Sequence, residues 1–235
     1  MTPSNALRRL CHPITVGSMR QKDEILDYIR DTFAPEDALL ADIRARLAAH
    51  DEHLVGIQVS PVEGKLLQML VRMNGIRSIV EIGSLAGYSA CWMARGLPEG
   101  GALHAIEKDT THFKLLSETV VKSGLPIQAH QGAAHEVLAT LEAQAPFDMV
   151  FIDADKGGYA DYLDWAERHV RKGGLIIGDN TLLFGNVYKN PRPEGASEKA
   201  WQAMREFNTR LGDVTRYDSL LIPTQEGLTI ARKLF

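Results

Sequence analysis

Cysteine is nearly absent from this 235-residue chain, with Cys11 and Cys91 its only two. Two thiols build neither a disulfide framework nor a cysteine metal cluster, so other forces hold the fold. Cys91 lies in an apolar helical pattern after a glycine turn and is expected to be a buried free thiol. Long apolar runs are missing too. No stretch approaches the length of a membrane span, and the opening MTPSNALRRLCHP lacks a signal-peptide core, so no membrane association and a cytoplasmic location are expected. Neither sign of charge dominates. Lys and Arg number 26 against 30 Asp and Glu, a net −4 that argues against a nucleic-acid partner. Hydrophobic residues make up 45% and charged residues 24%, the balance of a soluble globular protein, and the length suits one large α/β domain.

Residues 1–20 are irregular in pattern, interrupted by Pro3, Pro13 and Gly17. Helical spacing follows in three places. Ile25, Leu26, Ile29 and Phe33 recur within 21–33, and Leu39, Leu40, Ile43 and Leu47 follow Pro35, which suits a first helical turn. Ser60 and Pro61 then cap and open a helix with an apolar stripe of Val62, Leu66, Leu67, Leu70 and Met73. From 78 onward, strands and helices alternate: strands at 78–82, 102–107, 127–132, 147–153 and 174–179, with helices at 88–97, 110–123, 135–143 and 159–170 between them. Such alternation implies parallel pairing through right-handed crossovers. A last helix carries Ala200, Met204, Phe207 and Leu211. Two strand-like runs follow, joined by a turn at 224–226 too short for anything but antiparallel neighbours. The predicted fold is α/β: a Rossmann-like, doubly wound, seven-stranded, mostly parallel sheet with a C-terminal antiparallel hairpin, preceded by N-terminal helices. It reads as a single domain, 1–235, in which 1–56 form a helical cover and 57–235 the core.

The stretch SIVEIGSLAGYSA, 78–90, organises the rest. An apolar strand breaks at Gly83, a G-S-L-A-G loop runs to Gly87, and a helix begins, which together make a ligand cradle. Glu81 is a carboxylate in an otherwise apolar strand and needs a partner. A cationic group, such as an ammonium or sulfonium, would suit it. Ligands of these sheets bind at the carboxyl ends of the strands. There the second strand offers Glu107 to a ribose, and the third offers the small residues Gly132, Ala133 and Ala134 to a flat base. A dinucleotide enzyme would also place an acid at Glu107, but Gly83-x-x-x-Gly87 is not the G-x-G-x-x-G fingerprint. At the next two strand ends stand Asp153, Asp179 and Asn180. If those strands are neighbours, two carboxylates and an amide oxygen converge as hard ligands for Mg²⁺, Mn²⁺ or Ca²⁺. Singly, Asp-Asn after a strand is ordinary turn chemistry. Lys156 is close in sequence and would act as a base if its pKa is lowered there; a solvated lysine at a helix start is the plainer reading. The histidines show no ligand spacing.

In combination the motifs VSPVEGKLL, VEIGSLAGYSA, HAIEKD, FIDADKGGY and GDNTLLFG resemble the cation-dependent class I O-methyltransferases, the group of catechol and caffeoyl-CoA O-methyltransferases and their bacterial relatives, from about Ile57 to the C-terminus. The resemblance implies that Val59, Glu81, Gly83, Ser84 and Ser89 contact the methionine part of S-adenosyl-L-methionine, with Tyr88 walling that pocket and Asp153 alongside. It implies Glu107 on the ribose, Ala134 beside the adenine, Asp153, Asp179 and Asn180 on a divalent cation, foremost Mg²⁺, and Lys156 as catalytic base. It further implies a small catechol-like phenolic acceptor and a homodimer. Leu183-Phe184 stand where plant enzymes of the group have Trp-Asn, which argues against caffeoyl-CoA as the acceptor. The alternatives are a non-catalytic S-adenosylmethionine-binding protein and, with less support, a nicotinamide-dependent dehydrogenase.

Overall fold

The computed structural model describes residues 23–224 and 226–235. The expectations for 1–22, including Cys11 and a helix opening at Gln21, and for Gln225 in the last turn lie outside the described residues. Among the described residues no helix is long and apolar enough to cross a membrane.

Three helices precede the sheet. In α1 (Asp23–Phe33) the predicted stripe faces outward: Ile25, Leu26 and Phe33 are exposed, Phe33 by 62%. α2 (Ala38–His50) starts later than Pro35 suggests. The Asp37 carboxylate accepts the Leu40 N–H at 3.1 Å, and a side chain that satisfies a free helix donor fixes the start better than a proline does. Leu40, Ile43 and Leu47 are then fully buried. α3 (Pro61–Met73) opens at Ser60 and Pro61 as predicted and adds a capping box, in which Glu63 Oε2 accepts the Ser60 N–H at 2.8 Å. Its buried face overlaps the predicted one without matching it: Leu67 is buried, and Leu66 and Leu70 pack against the core. Val62 and Met73 are exposed, and Gly64, Leu67, Gln68 and Val71 point inward. Gly64 is the cause: a Cβ there would lie 2.3 Å from the Trp92 ring, so the helix turns its side-chain-free position onto that indole.

The strands are β1 (Ser78–Ile82), β2 (Ala102–Glu107), β3 (Ile127–Gln131), β4 (Phe147–Ile152), β5 (Val170–Gly178), β6 (Tyr217–Ile222) and β7 (Leu228–Lys233), in sheet order β3-β2-β1-β4-β5-β7-β6. The first five are parallel; β7 pairs antiparallel with both β5 and β6. β5 begins at Val170, four residues before the predicted start, directly after α7 (Tyr159–His169). Of the other crossover helices, α5 (Thr110–Ser123) has the predicted bounds, whereas α4 (Tyr88–Ala94) is shorter and α6 (Ala134–Leu141) hands over to a 3-10 turn at Glu142–Gln144. The last helix, α8 (Glu198–Leu211), buries Met204, Phe207 and Leu211.

Alternation along β1 splits the core in two. Ile79 joins the α2–α5 side with Leu103, Met149, Phe151 and Ile177, and Val80 and Ile82 join the α6–α8 side with Val150, Ile152, Tyr159 and Phe207. By the same period Glu81 faces α4, an ionisable group inside the first of these cores.

Candidate active site

Register assembles the site. Ile82 lies opposite Ile106 and Ile152, and Ile152 lies opposite Gly178. The next residues are Gly83, Glu107, Asp153 and Asp179, so four strands deliver them to one edge. The Asp153 N–H donates to Ile82 O and the Asp179 N–H to Ile152 O, both at 2.9 Å, which extends the ladder just far enough to fix both acids.

On one side stands the glycine cradle. Gly83 has φ +89°, and a Cβ there would lie 2.1 Å from the Asp153 carbonyl oxygen, so only glycine lets these two strand ends touch. Val59, Gly83, Ser84, Tyr88, Ser89 and Asp153, six of the predicted residues, line one narrow cleft together with Ile57, Gln58 and Leu85. Beneath it Glu81 is fully buried. Its Oε1 accepts the Ser89 hydroxyl at 2.5 Å, and its Oε2 has no partner. Burial pushes its carboxyl up to about 7, the nearby Ser89 and Ser84 hydroxyls opposing the shift. Glu107 is nearly buried and accepts the Leu85 N–H at 2.9 Å and the Asp109 N–H at 2.8 Å, which ties the glycine loop to the end of β2. Each of its oxygens keeps a lone pair for another donor. Ala134 opens α6 and packs onto the second core; it does not line the cleft.

On the other side are the acids. Burial raises the Asp153 carboxyl above the ordinary range, and Lys156 beside it opposes the rise. Burial and then the neighbouring Asp153 raise Asp179 in the same direction. Asn180 follows in the left-handed region at φ +55°, its N–H held by Asp179 Oδ1 at 2.7 Å. Lys156 Nζ donates to Asp153 Oδ1 at 3.1 Å and to Tyr159 Oη at 3.0 Å. The set thus holds two carboxylates and an amide, and among the described residues no group of three or more His, Cys, Asp or Glu is arranged to hold a metal. The donors are nonetheless hard oxygens, and Asp153 is close enough to raise the Asp179 carboxyl, a crowding of like charge that a small divalent cation relieves.

Several participants were not singled out by the sequence, even where they lie within its motifs. Tyr159 donates its hydroxyl proton to Asp179 O at 2.7 Å and approaches Ile152 O at 3.0 Å, which leaves the oxygen to accept from Lys156. Its spacing of three from Lys156 was the available signal. Glu63, read from sequence only as part of a helix start, is close enough to help raise both Asp153 and Asp179. Tyr88 Oη donates to Glu36 at 2.6 Å while Arg44 pairs with Glu36 at 2.7 Å and stacks over the Tyr88 ring, so the helical cover braces the cleft wall. Nothing local in the sequence marks Glu36. His104 and His130 stack on one another on β2 and β3, away from these groups.

The family model described as O-methyltransferase matches residues 30–234, which reaches upstream of Ile57 into α1. A catechol O-methyltransferase from Niastella koreensis is 39% identical over 199 residues, covering 83% of this chain and 87% of its own. An O-methyltransferase from Bacillus cereus, solved with S-adenosylhomocysteine, aligns at TM-score 0.79 with 32% identity, covering 89% of this chain and 97% of that one. TomG from Streptomyces achromogenes, involved in tomaymycin synthesis and solved with S-adenosylmethionine, aligns at TM-score 0.81 with 30% identity over 93% of this chain and all of its own. With the family model spanning most of its length and the strand-end site built as described, this chain belongs to the O-methyltransferase family, on the branch of catechol and caffeoyl-CoA O-methyltransferases.

Proposed function

We propose that this enzyme transfers a methyl group from S-adenosyl-L-methionine to one hydroxyl of a small catechol-like phenol, with a divalent cation, Mg²⁺ foremost, at Asp153, Asp179 and Asn180. The observation that carries this reading is the meeting of an unpartnered buried carboxylate, Glu81, with a paired-acid site across Gly83 and Asp153. In the proposed complex Glu81 faces the cationic methionine head, Val59 and Tyr88 wall it, Ser84 and Ser89 lend hydroxyls, and Glu107 takes the ribose. Ala134 would lie beside the adenine. The cation, when bound, supplies Lewis acidity that favours the phenolate.

Lys156 is assigned the proton. In its neutral form the amine has two hydrogens, and two acceptors already stand beside it, Asp153 Oδ1 and Tyr159 Oη. With both N–H groups engaged, the lone pair is what remains for the acceptor hydroxyl. The phenolic oxygen then forms its bond to the methyl carbon as the C–S bond breaks, S-adenosylhomocysteine leaves, and the proton on Lys156 passes to solvent. Positioning of the two reactants in one cradle supplies most of the acceleration. A screen of vicinal-diol and monohydroxy phenols, run with added Mg²⁺ and with excess chelator, tests the proposal. Transfer restricted to the diols and abolished by chelator is expected. Full activity after thorough chelation overturns the metal assignment, and cofactor binding with no transfer to any phenol favours a non-catalytic binding protein.

A further inference from the structure

Among the described residues nine buried side-chain polar atoms have neither a hydrogen-bond nor an ion-pair partner, and four of them belong to Gln58, Glu81 and Ser84. Leaving a buried polar group unpaired is costly, so a concentration of them in one place marks where a polar ligand sits. Glu81 and Ser84 are accounted for by the donor site. Gln58 is not. It lies in extended backbone, φ −73° and ψ 150°, between a 3-10 turn (Glu52–Ile57) and the cap of α3, and it has no motif of its own. Both atoms of its amide, Nε2 and Oε1, are shielded from solvent and unpaired. Its side chain nevertheless lines the same cleft as Ser84, Ser89 and Tyr88, and Val59 beside it is buried and anchors the segment.

The chemistry of the cleft sorts these atoms. An α-amino-acid head presents an ammonium and a carboxylate one carbon apart. Glu81 Oε2 answers the ammonium and repels the carboxylate, so the carboxylate needs hydrogen-bond donors from the rest of the lining. A carboxamide N–H₂ is such a donor, and it adds no charge that would compete for the ammonium.

We propose that Gln58 is a specificity-determining residue whose Nε2 donates to the carboxylate of the methionine head, so that the cleft selects a complete amino-acid zwitterion. The inference rests on the donor reading above and adds to it a residue that the family motifs do not name. Calorimetric titration with two probes tests it: S-adenosylhomocysteine, and its decarboxylated analogue, which keeps the sulfur, the chain and the ammonium. Gln58→Met preserves length and removes the donor. It should weaken S-adenosylhomocysteine about 10- to 100-fold, the loss of one charge-assisted hydrogen bond, and leave the analogue within twofold. Binding of the analogue doubles as the check on folding. An equal loss for both probes makes Gln58 a wall of the cleft and overturns the inference. No loss for either overturns it as well. Wild-type protein that binds neither probe overturns the donor reading itself, and this outcome is distinct from the other two.

Discussion

The two halves of the site differ in what each leaves unsatisfied. Glu81 Oε2 and both atoms of the Gln58 amide are buried and unpaired, whereas around Asp153 and Asp179 the groups are paired but crowded with like charge. The first half is a set of hydrogen-bond vacancies shaped for a ligand with both signs of charge. The second is a set of carboxyls that burial first, and neighbouring like charge second, makes costly to ionise. Unpaired atoms govern affinity, because a ligand completes them on binding. Crowded charges govern chemistry, because they decide where protons and cations reside. Variants of the two halves should therefore separate into binding and turnover classes.

The largest expected effect lies on the turnover side. Lys156→Ala should lower kcat by about 10²–10⁴-fold, the usual weight of a positioned general base, and leave S-adenosylhomocysteine affinity within twofold. Steady-state rates beside calorimetry check this, and normal turnover removes Lys156 from its role.

On the binding side, Glu81→Gln should weaken S-adenosylhomocysteine about 10- to 100-fold with a much smaller effect on kcat. The same substitution carries a stability signature of opposite sign. Burial raises the Glu81 carboxyl from the ordinary 4.5 to about 7. Below pH 4.5 the group is neutral in both folded and unfolded chains and no penalty exists. Between pH 4.5 and about 7 the unfolded chain ionises while the folded one stays protonated, so the penalty grows across that window and levels off above it at about 3 kcal/mol. Ligand-free Glu81→Gln protein should therefore melt higher than wild type at pH 8 and alike at pH 4.5. Wild-type affinity for the cationic head should rise with pH toward a plateau above 7, and the variant's should stay flat. A melting point equally shifted at both pH values separates packing from charge.

Tyr159 tests whether the turnover half is as pre-arranged as its distances suggest. Tyr159→Phe removes the acceptor on one side of Lys156 and leaves the Asp179 carbonyl without its donor. A kcat reduced roughly tenfold at unchanged donor KM is expected, together with about 1–3 kcal/mol of lost stability. A change confined to melting temperature makes Tyr159 structural.

The two halves also differed in how readable they were. The α/β alternation followed from periodicity, since buried parallel strands announce themselves as short apolar runs between helical segments. Glu81, Asp153 and Asp179 stood out because a carboxylate at the end of an apolar strand has few structural reasons to be there. Their convergence still depended on β4 pairing with β5, which only the fold supplies. What stayed hidden came from long-range packing. The burial of α3 through Gly64, Gln68 and Val71, with Val62 and Met73 left outside, follows from the fit of Gly64 against Trp92, 28 positions away, which no local pattern encodes. Gln58 and Glu36 were invisible for the same reason: their meaning lies in what the fold puts opposite them.

The smallest effect probes the segment that serves both halves. Ser60 caps α3 directly after Gln58 and Val59, which line the donor cleft, and its partner in the capping box is Glu63, which acts on both acids. Ser60→Ala should cost about 1 kcal/mol in stability, as cap losses do. If the cap chiefly holds Gln58 and Val59 against the cleft, donor KM should rise about twofold while kcat stays level, because a frayed first turn taxes binding before it reaches the lysine. A fall in kcat at constant KM would reverse that ranking. Glu63, whose N–H loses Ser60 Oγ while its carboxylate keeps the N–H of residue 60, would then be the member of the box that matters, and the boundary between the binding and turnover halves would run through the first turn of α3.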